Sequence, residues 1–195
     1  LAAIVQANEL LADSDPDQQQ HLSQMIAKQA LRIDCIIQDT LNMVRNKETY
    51  PTQLQLNQFI PTFLQEDLSD VAQKINYNIK DKMAITFDEA QLRQILINLL
   101  RNAIRHNAPA HAKIELNIYA HESNVRIDVR DFGSGVASQD LAYLFQPFFS
   151  TEITGTGLGL YLSRSFCEAN QAELNYVEQK QGACFRIECP HVALN

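Results

Sequence analysis

The sequence predicts an α/β (α+β) two-layer sandwich with a largely antiparallel sheet, preceded by an α-helical hairpin cut inside its first arm. Three observations carry that expectation. Residues 1 to 46 place apolar side chains three and four apart, the spacing of packed helices. Beyond Pro51 the pattern changes to short strands set between helices. Five of the six glycines (Gly133, Gly135, Gly155, Gly157, Gly159) fall within 27 residues, and the first 132 residues contain none. Glycine lets backbone approach a ligand closely, so this clustering marks a place where backbone meets something. A flexible loop is the plainer alternative.

The elements follow in order. Residues 1 to about 12 carry Leu1, Ile4, Val5 and Leu11 at helical spacing, interrupted by Asn8. Ser14-Asp15-Pro16-Asp17 is a turn in which Asp15 caps the next helix and Pro16 takes its first position. From Gln18 to about Asn46, Leu22, Met25, Ile26, Ala30, Ile33, Ile36, Ile37, Leu41 and Val44 form the apolar stripe of a bundle or coiled-coil helix. Gln53 to Asn57 reads as a strand and Phe59 to Lys74 as a helix, with Ile75 to Ile79 and Met83 to Phe87 as a hairpin pair. Asp88 opens the strongest helix, to about His106, with Gln91 completing a capping box. Lys113 to Ala120 and Asn124 to Arg130 are strands; in the second, Val125, Ile127 and Val129 alternate with Arg126, Asp128 and Arg130. A helix near Leu158 to Asn170 and strands at Glu173 to Val177 and Ala183 to Glu188 complete the chain.

Composition narrows the function classes. A chain of 195 residues suits one medium domain, or a domain of ~150 residues with an appendage. Its 23 acidic against 16 basic residues, a net charge of −7, argue against nucleic acid as the main partner. No apolar run is long enough to span a membrane, and the opening residues, acidic and without a basic start, do not read as a signal peptide. Cys35, Cys167, Cys184 and Cys189 lack CxxC spacing, which suits reduced thiols and not a structural zinc site.

Three motifs carry chemistry. On the helix from Asp88 to His106, Asn98, Asn102 and Arg105 share a face at i, i+4 and i+7. An asparagine carbonyl suits Mg²⁺ and an arginine suits phosphate, although an ordinary polar stripe has the same spacing. Asp131-Phe132-Gly133-Ser134-Gly135 follows an alternating strand. A carboxylate at a strand end can accept from an amino group such as adenine N6, or the segment is simply a tight turn. Gly155-Thr156-Gly157-Leu158-Gly159-Leu160 opens an apolar helix, where consecutive amides suit a triphosphate. It lacks the lysine of a Walker A loop and does not follow a strand as a dinucleotide fingerprint would. Between the glycine motifs lies Leu144-Phe145-Gln146-Pro147-Phe148-Phe149, either core or the anchor of a lid.

In this order and spacing, N-L-L-R-N-A-I-R-H, D-F-G-S-G, F-Q-P-F-F-S-T and G-T-G-L-G-L resemble the Asn, first glycine, Phe and second glycine boxes of sensor histidine kinases, over about residues 50 to 190. The resemblance implies the ATP-binding fold of that superfamily and Mg-ATP as ligand. It makes Asn102 the Mg²⁺ ligand and Arg105 a phosphate contact, with Asn98 and His106 lining the site. Asp131, with Gly133 and Gly135, would read adenine; Thr151, Gly155, Thr156, Gly157, Leu158 and Gly159 would belong to the segment that wraps the phosphates. Residues 1–48 would be a partial dimerisation and histidine-phosphotransfer hairpin, and 49–195 the catalytic domain. The opening L-A-A-I-x-x-x-x-E-L-L, F-F-S-T-E-x-x-G-T-G-L-G-L-Y and C-E-A-N-Q-A-x-L-x-Y are further similar to the PilS-type, nitrogen-sensor-like branch. That branch implies an NtrC-like response regulator as partner, type IV pilus genes as target, homodimerisation through the hairpin, and a cytoplasmic portion of an inner-membrane parent.

The sequence departs from that pattern in two places. The branch carries His-Glu-x-x-x-Pro just ahead of the Leu-Ala-Ala-Ile stretch, and none of the five histidines sits in such a box. The expectation is a chain that binds Mg-ATP but does not phosphorylate itself. Glu152 stands where many relatives carry lysine, and Asp140 and Glu152 are the only charges from Ser134 to Thr156. Affinity in the micromolar range or weaker follows, about −8 kcal/mol at 1 μM. Two rivals remain: an ATP hydrolase of the same superfamily, and a non-catalytic dimerisation or interaction module. The hydrolases place a glutamate one turn before the Mg-binding asparagine to activate water. Here that position is Asn98, which cannot act as a base.

Overall fold

A computed structural model describes residues 2–11, 15–45, 48–152 and 155–191. The chain forms two compact units, Leu1–Lys47 with Pro147–Leu158, and Glu48–Gln146 with Gly159–Asn195.

In the first unit, α1 (Ala2–Leu11) and α2 (Pro16–Arg45) pack as a hairpin. As the sequence predicts, Asp15 caps α2: its Oδ1 accepts from the Gln18 amide at 2.9 Å, with Pro16 in the first helical position. Ala7 is buried, whereas Val5, Leu10 and Met25 are exposed. Ser14 and Asn46 lie outside the described residues.

The second unit is a sandwich of helices on a mixed sheet. Five strands take the order β2 (Ile75–Ile79), β4 (Ile114–His121), β5 (Asn124–Arg130), β7 (Cys184–Pro190) and β6 (Glu173–Val177). All neighbours are antiparallel except β2 and β4. Alternation along the strands sends Leu116, Ile118, Val125, Ile127, Val129, Leu174 and Ile187 to one buried face. Helices α4 (Glu89–His106) and α5 (Gly159–Ala169) pack together on this layer, contributing Leu92, Ile95, Leu96, Leu99 and Leu100 from α4 and Leu162 and Phe166 from α5.

The opposite face holds paired charges. Arg186 makes a two-pronged bond to Asp128 (2.8 Å to each oxygen), and Tyr119 joins them, while Arg126 and Asn124 hold Glu188. The expectation that Arg126, Asp128 and Arg130 lie opposite the apolar face therefore holds.

Two expectations are corrected. Ile75–Ile79 and the strand beginning near Met83 are not a hairpin pair. β2 joins β4 in parallel, and β3 (Ala84–Phe87) pairs antiparallel with β1 (Thr52–Gln55) in a separate two-stranded sheet. The two strands are claimed by different partners at the point where they would have to meet. The Lys80 amide continues the ladder onto the Ile118 carbonyl, while the carbonyl of buried Met83 accepts from Leu56. The helix expected from Phe59 to Lys74 is α3 (Leu56–Asp67) followed by a separate 3-10 turn, Ala72–Lys74. The break falls at Leu68, whose burial at 0% exposure turns the chain inward and out of helical geometry. Arg93 of α4 pairs with Glu66 and Asp67 at the end of α3 and with Glu89 in its own helix.

Candidate functional site

The helix that carries the asparagines starts from a well-determined cap. Asp88 accepts from the Gln91 amide at 3.1 Å through Oδ1 and from the Tyr50 amide at 2.9 Å through Oδ2. A standard capping box would return the Gln91 side chain to the Asp88 amide. Here Asn170 stands between them, its Oδ1 accepting from that amide at 2.7 Å and its Nδ2 donating to Gln91 Oε1 at 2.6 Å.

Two turns further along, Asn98 Nδ2 donates to Ser163 Oγ of α5 at 3.0 Å, and Ser163 Oγ donates to the Gly159 carbonyl at 2.9 Å. A Cβ on Gly159 would lie 2.3 Å from Asn98 Oδ1, so only glycine lets α5 begin this close to α4. Asn102 Nδ2 donates to Asn98 Oδ1 at 3.4 Å. Its nitrogen is thus the end turned to protein, and its carbonyl is the end available to a cation. Arg105 and His106 are exposed in the last turn, where the Arg105 cation suits the helix dipole.

Asp131 stands at the end of β5, 4% exposed. Its Oδ1 accepts from the amides of Gly133 at 2.9 Å and Ala183 at 3.1 Å, which fixes the carboxylate and leaves Oδ2 for another donor. The Gly133 backbone runs directly against the His106 carbonyl, so the end of α4 meets the first glycine motif. Gly135 lies over the β6–β7 turn beside Gly182. Gly182 has φ +77°, and a Cβ there would fall 2.0 Å from the Asp131 carbonyl. Asn98, Asn102, Asp131, Gly133, Gly135 and Gly159 are therefore joined by direct bonds or close approaches along α4, α5 and the ends of β5 and β7.

The segment Pro147–Leu158 organises itself locally. Ser150 Oγ accepts from the Glu152 amide at 3.1 Å, the Gly155 amide donates to the Glu152 carbonyl at 3.3 Å, and Thr156 Oγ1 accepts from the Leu158 amide at 3.3 Å. Phe148, with φ +67° and 72% exposure, leads into exposed Thr151, and Gly157 adopts φ +71°. Ile153 and Thr154 of this stretch lie outside the described residues.

Several supporting residues escaped the sequence reading. Asn107 Oδ1 accepts from the Phe132 amide at 3.0 Å and so ties the chain after α4 to the first glycine motif. His111 stacks on Phe132 at 4.4 Å between ring centroids. Ser163, Asn170, Gly182 and Ala183 all act over long sequence separations. An asparagine directly after a helix, and a sixth glycine standing apart from the other five, were the available signals. Among the described residues there is no group of three or more His, Cys, Asp or Glu placed to hold a metal ion. No described helix is long and apolar enough to cross a membrane.

A helix-backed sheet with these motifs at one end of its strands is the architecture of a nucleotide-binding domain. Residues 87–193 match the family described as histidine kinase-, DNA gyrase B-, and HSP90-like ATPases. The sensor protein kinase PilS of Pseudomonas aeruginosa is 36% identical over 98% of this chain and 38% of its own length. The chain belongs to the histidine kinases of that ATPase family and carries their ATP-binding catalytic domain. The crystallised catalytic domain of histidine kinase ThkA is 25% identical, with a TM-score of 0.63 over 73% of this chain and 96% of that one. ThkA in complex with the response regulator protein TrrA matches in fold over 97% of this chain and 59% of that one, at 20% identity and a TM-score of 0.69. The chain thus spans about two-fifths of the length of PilS.

Proposed function

We propose that this chain is the Mg-ATP-binding catalytic portion of a sensor histidine kinase that phosphorylates a histidine for relay to an aspartate of an NtrC-like response regulator. The observation that carries the reading is the pinned carboxylate of Asp131. One oxygen is spent on two backbone amides, so the other is held in place for the exocyclic amino group of adenine, with the backbone of Gly133 and Gly135 beside the base. The Asn102 carbonyl is the Mg²⁺ ligand and Arg105 the phosphate contact, while Asn98 and His106 line the site. Thr151, Gly155, Thr156, Gly157, Leu158 and Gly159 form the loop that wraps the phosphates, with backbone amides as donors. Bound Mg²⁺ would supply charge neutralisation on the phosphates, and the chain's own residues would hold the nucleotide aligned for in-line transfer.

Asn98 distinguishes this reading from ATP hydrolysis. It occupies the position one turn before Asn102 and spends its amide on Ser163, and a carboxamide cannot deprotonate water. Similarity to PilS favours the pilus-gene branch, with residues 1–48 as part of a dimerising hairpin and 49–195 as the catalytic domain. Calorimetric titration with a non-hydrolysable ATP analogue and Mg²⁺ tests the proposal. Saturable binding is expected, weakened at least tenfold in Asp131→Asn, or about 1.4 kcal/mol. Folded protein that binds nothing would instead favour an interaction module.

A further inference from the structure

We propose that Asn170 is a positioning residue for the triphosphate half of the site: with Gln91 it fixes the register of α5 against α4, and so the place where α5 begins. The inference rests on the nucleotide-site reading above and assigns a role to a residue remote from the nucleotide.

Asn170 follows α5 directly and is 6% exposed; Gln91 is 3% exposed. Every polar atom of the Asn170 side chain is bonded: Oδ1 accepts from the Asp88 amide at 2.7 Å, and Nδ2 donates to Gln91 Oε1 at 2.6 Å and to the Phe166 carbonyl at 2.8 Å. The second link between these helices is Asn98 to Ser163 at 3.0 Å. Gln91 and Asn98 stand seven positions apart on α4, and Ser163 on α5 and Asn170 directly after it are also seven apart, in opposite chain order. The helices are therefore antiparallel, with two hydrogen-bonded struts about 10.5 Å apart at the 1.5 Å rise of a helix.

The apolar side chains buried along this stretch, Leu92, Ile95 and Leu96 on α4 and Phe166 and Cys167 on α5, favour a class of crossing angles but leave a scatter of roughly 15–20° within it. One strut alone is a pivot. Two directional bonds fix both rotation and sliding. Loss of the Asn170 strut leaves buried donors and acceptors unpaired at one end and frees α5 to turn about Asn98 and Ser163. Gly159, the first residue of α5, then shifts against Asn98, where there is no spare room. Asp131 is held independently by Gly133 and Ala183, so the adenine side does not depend on this strut.

The separation gives the test. Mg-bound AMPPNP is titrated calorimetrically and adenosine by NMR chemical shifts, on the whole chain and on Asn170→Ala and Gln91→Ala, each checked for folding by circular dichroism. Both variants are expected to weaken AMPPNP at least fivefold and to leave adenosine within twofold. Equal loss for the two ligands, or no loss for either, overturns the assignment. If Asn170→Ala does not fold, Gln91→Ala, which keeps the bond to the Asp88 amide, decides; if neither folds, the pair serves stability alone and the proposal fails. A wild-type chain that does not bind AMPPNP overturns the site reading itself, an outcome distinct from variants that fail to discriminate.

Discussion

Gln171 adopts φ +58° directly after Asn170, a left-handed conformation that costs an L-residue roughly 1 kcal/mol. Gln171→Gly is expected to stabilise the protein by about 0.5 kcal/mol once the extra chain entropy of glycine is counted, raising Tm by about 1–2 °C in a thermal melt. Gly182→Ala acts in the opposite sense, because its Cβ would fall 2.0 Å from the Asp131 carbonyl. It should cost more than ~2 kcal/mol and weaken nucleotide binding with it, since the displaced backbone carries Asp131. The buried thiols make a further residue-scale case. Burial pushes Cys184 and Cys189 up to about 12 and Cys167 higher still. At pH 8 these three should resist iodoacetamide in folded protein and react only on unfolding, as mass spectrometry of the labelled chain would read.

At the scale of elements, the outer face of the sheet is bound by charge as well as backbone. The Glu188 carboxyl is held below the usual carboxylate range, chiefly by the hydrogen bond from Asn124 and then by Arg126, with burial opposing. A carboxylate depressed in the folded state contributes stability that is full above its unfolded pKa of about 4.3 and is lost as pH falls through the lower folded value. Urea unfolding at pH 7 and at pH 3 should therefore differ less in Glu188→Gln than in wild type. Helix α4 was legible because its cap, its apolar period and its polar stripe are all local. The strand pairing of β2 and β3 was not, because two short apolar runs around Lys80 look alike whether they pair together or with strands elsewhere. The same limit hid Asn170 and Ser163. Their partners lie 79 and 65 positions away, and a lone asparagine or serine in sequence points to neither.

Across the whole chain, the five histidines stand apart from any phosphoacceptor motif. His21, His106, His111 and His191 are exposed, and His121 ends β4. Incubated with radiolabelled ATP and Mg²⁺, the chain should acquire no acid-labile phosphohistidine; label on any of the five would overturn that expectation. The glycine motifs were readable as a set because their order along the chain matches one family, while each alone fits an ordinary turn. What no short motif carried was the way Asp131 is pinned, since Ala183 and Gly182 come from the far end of the sequence. The one parallel pairing in the sheet also has a kinetic consequence. Strands β2 and β4 are separated along the chain by β3 and the whole of α4. That closure has to be made before its contacts repay it. The local antiparallel β4–β5 hairpin is expected to form early and β2 to dock late at the sheet edge, so that pulsed hydrogen exchange during refolding should protect the amides of β5 before those of β2.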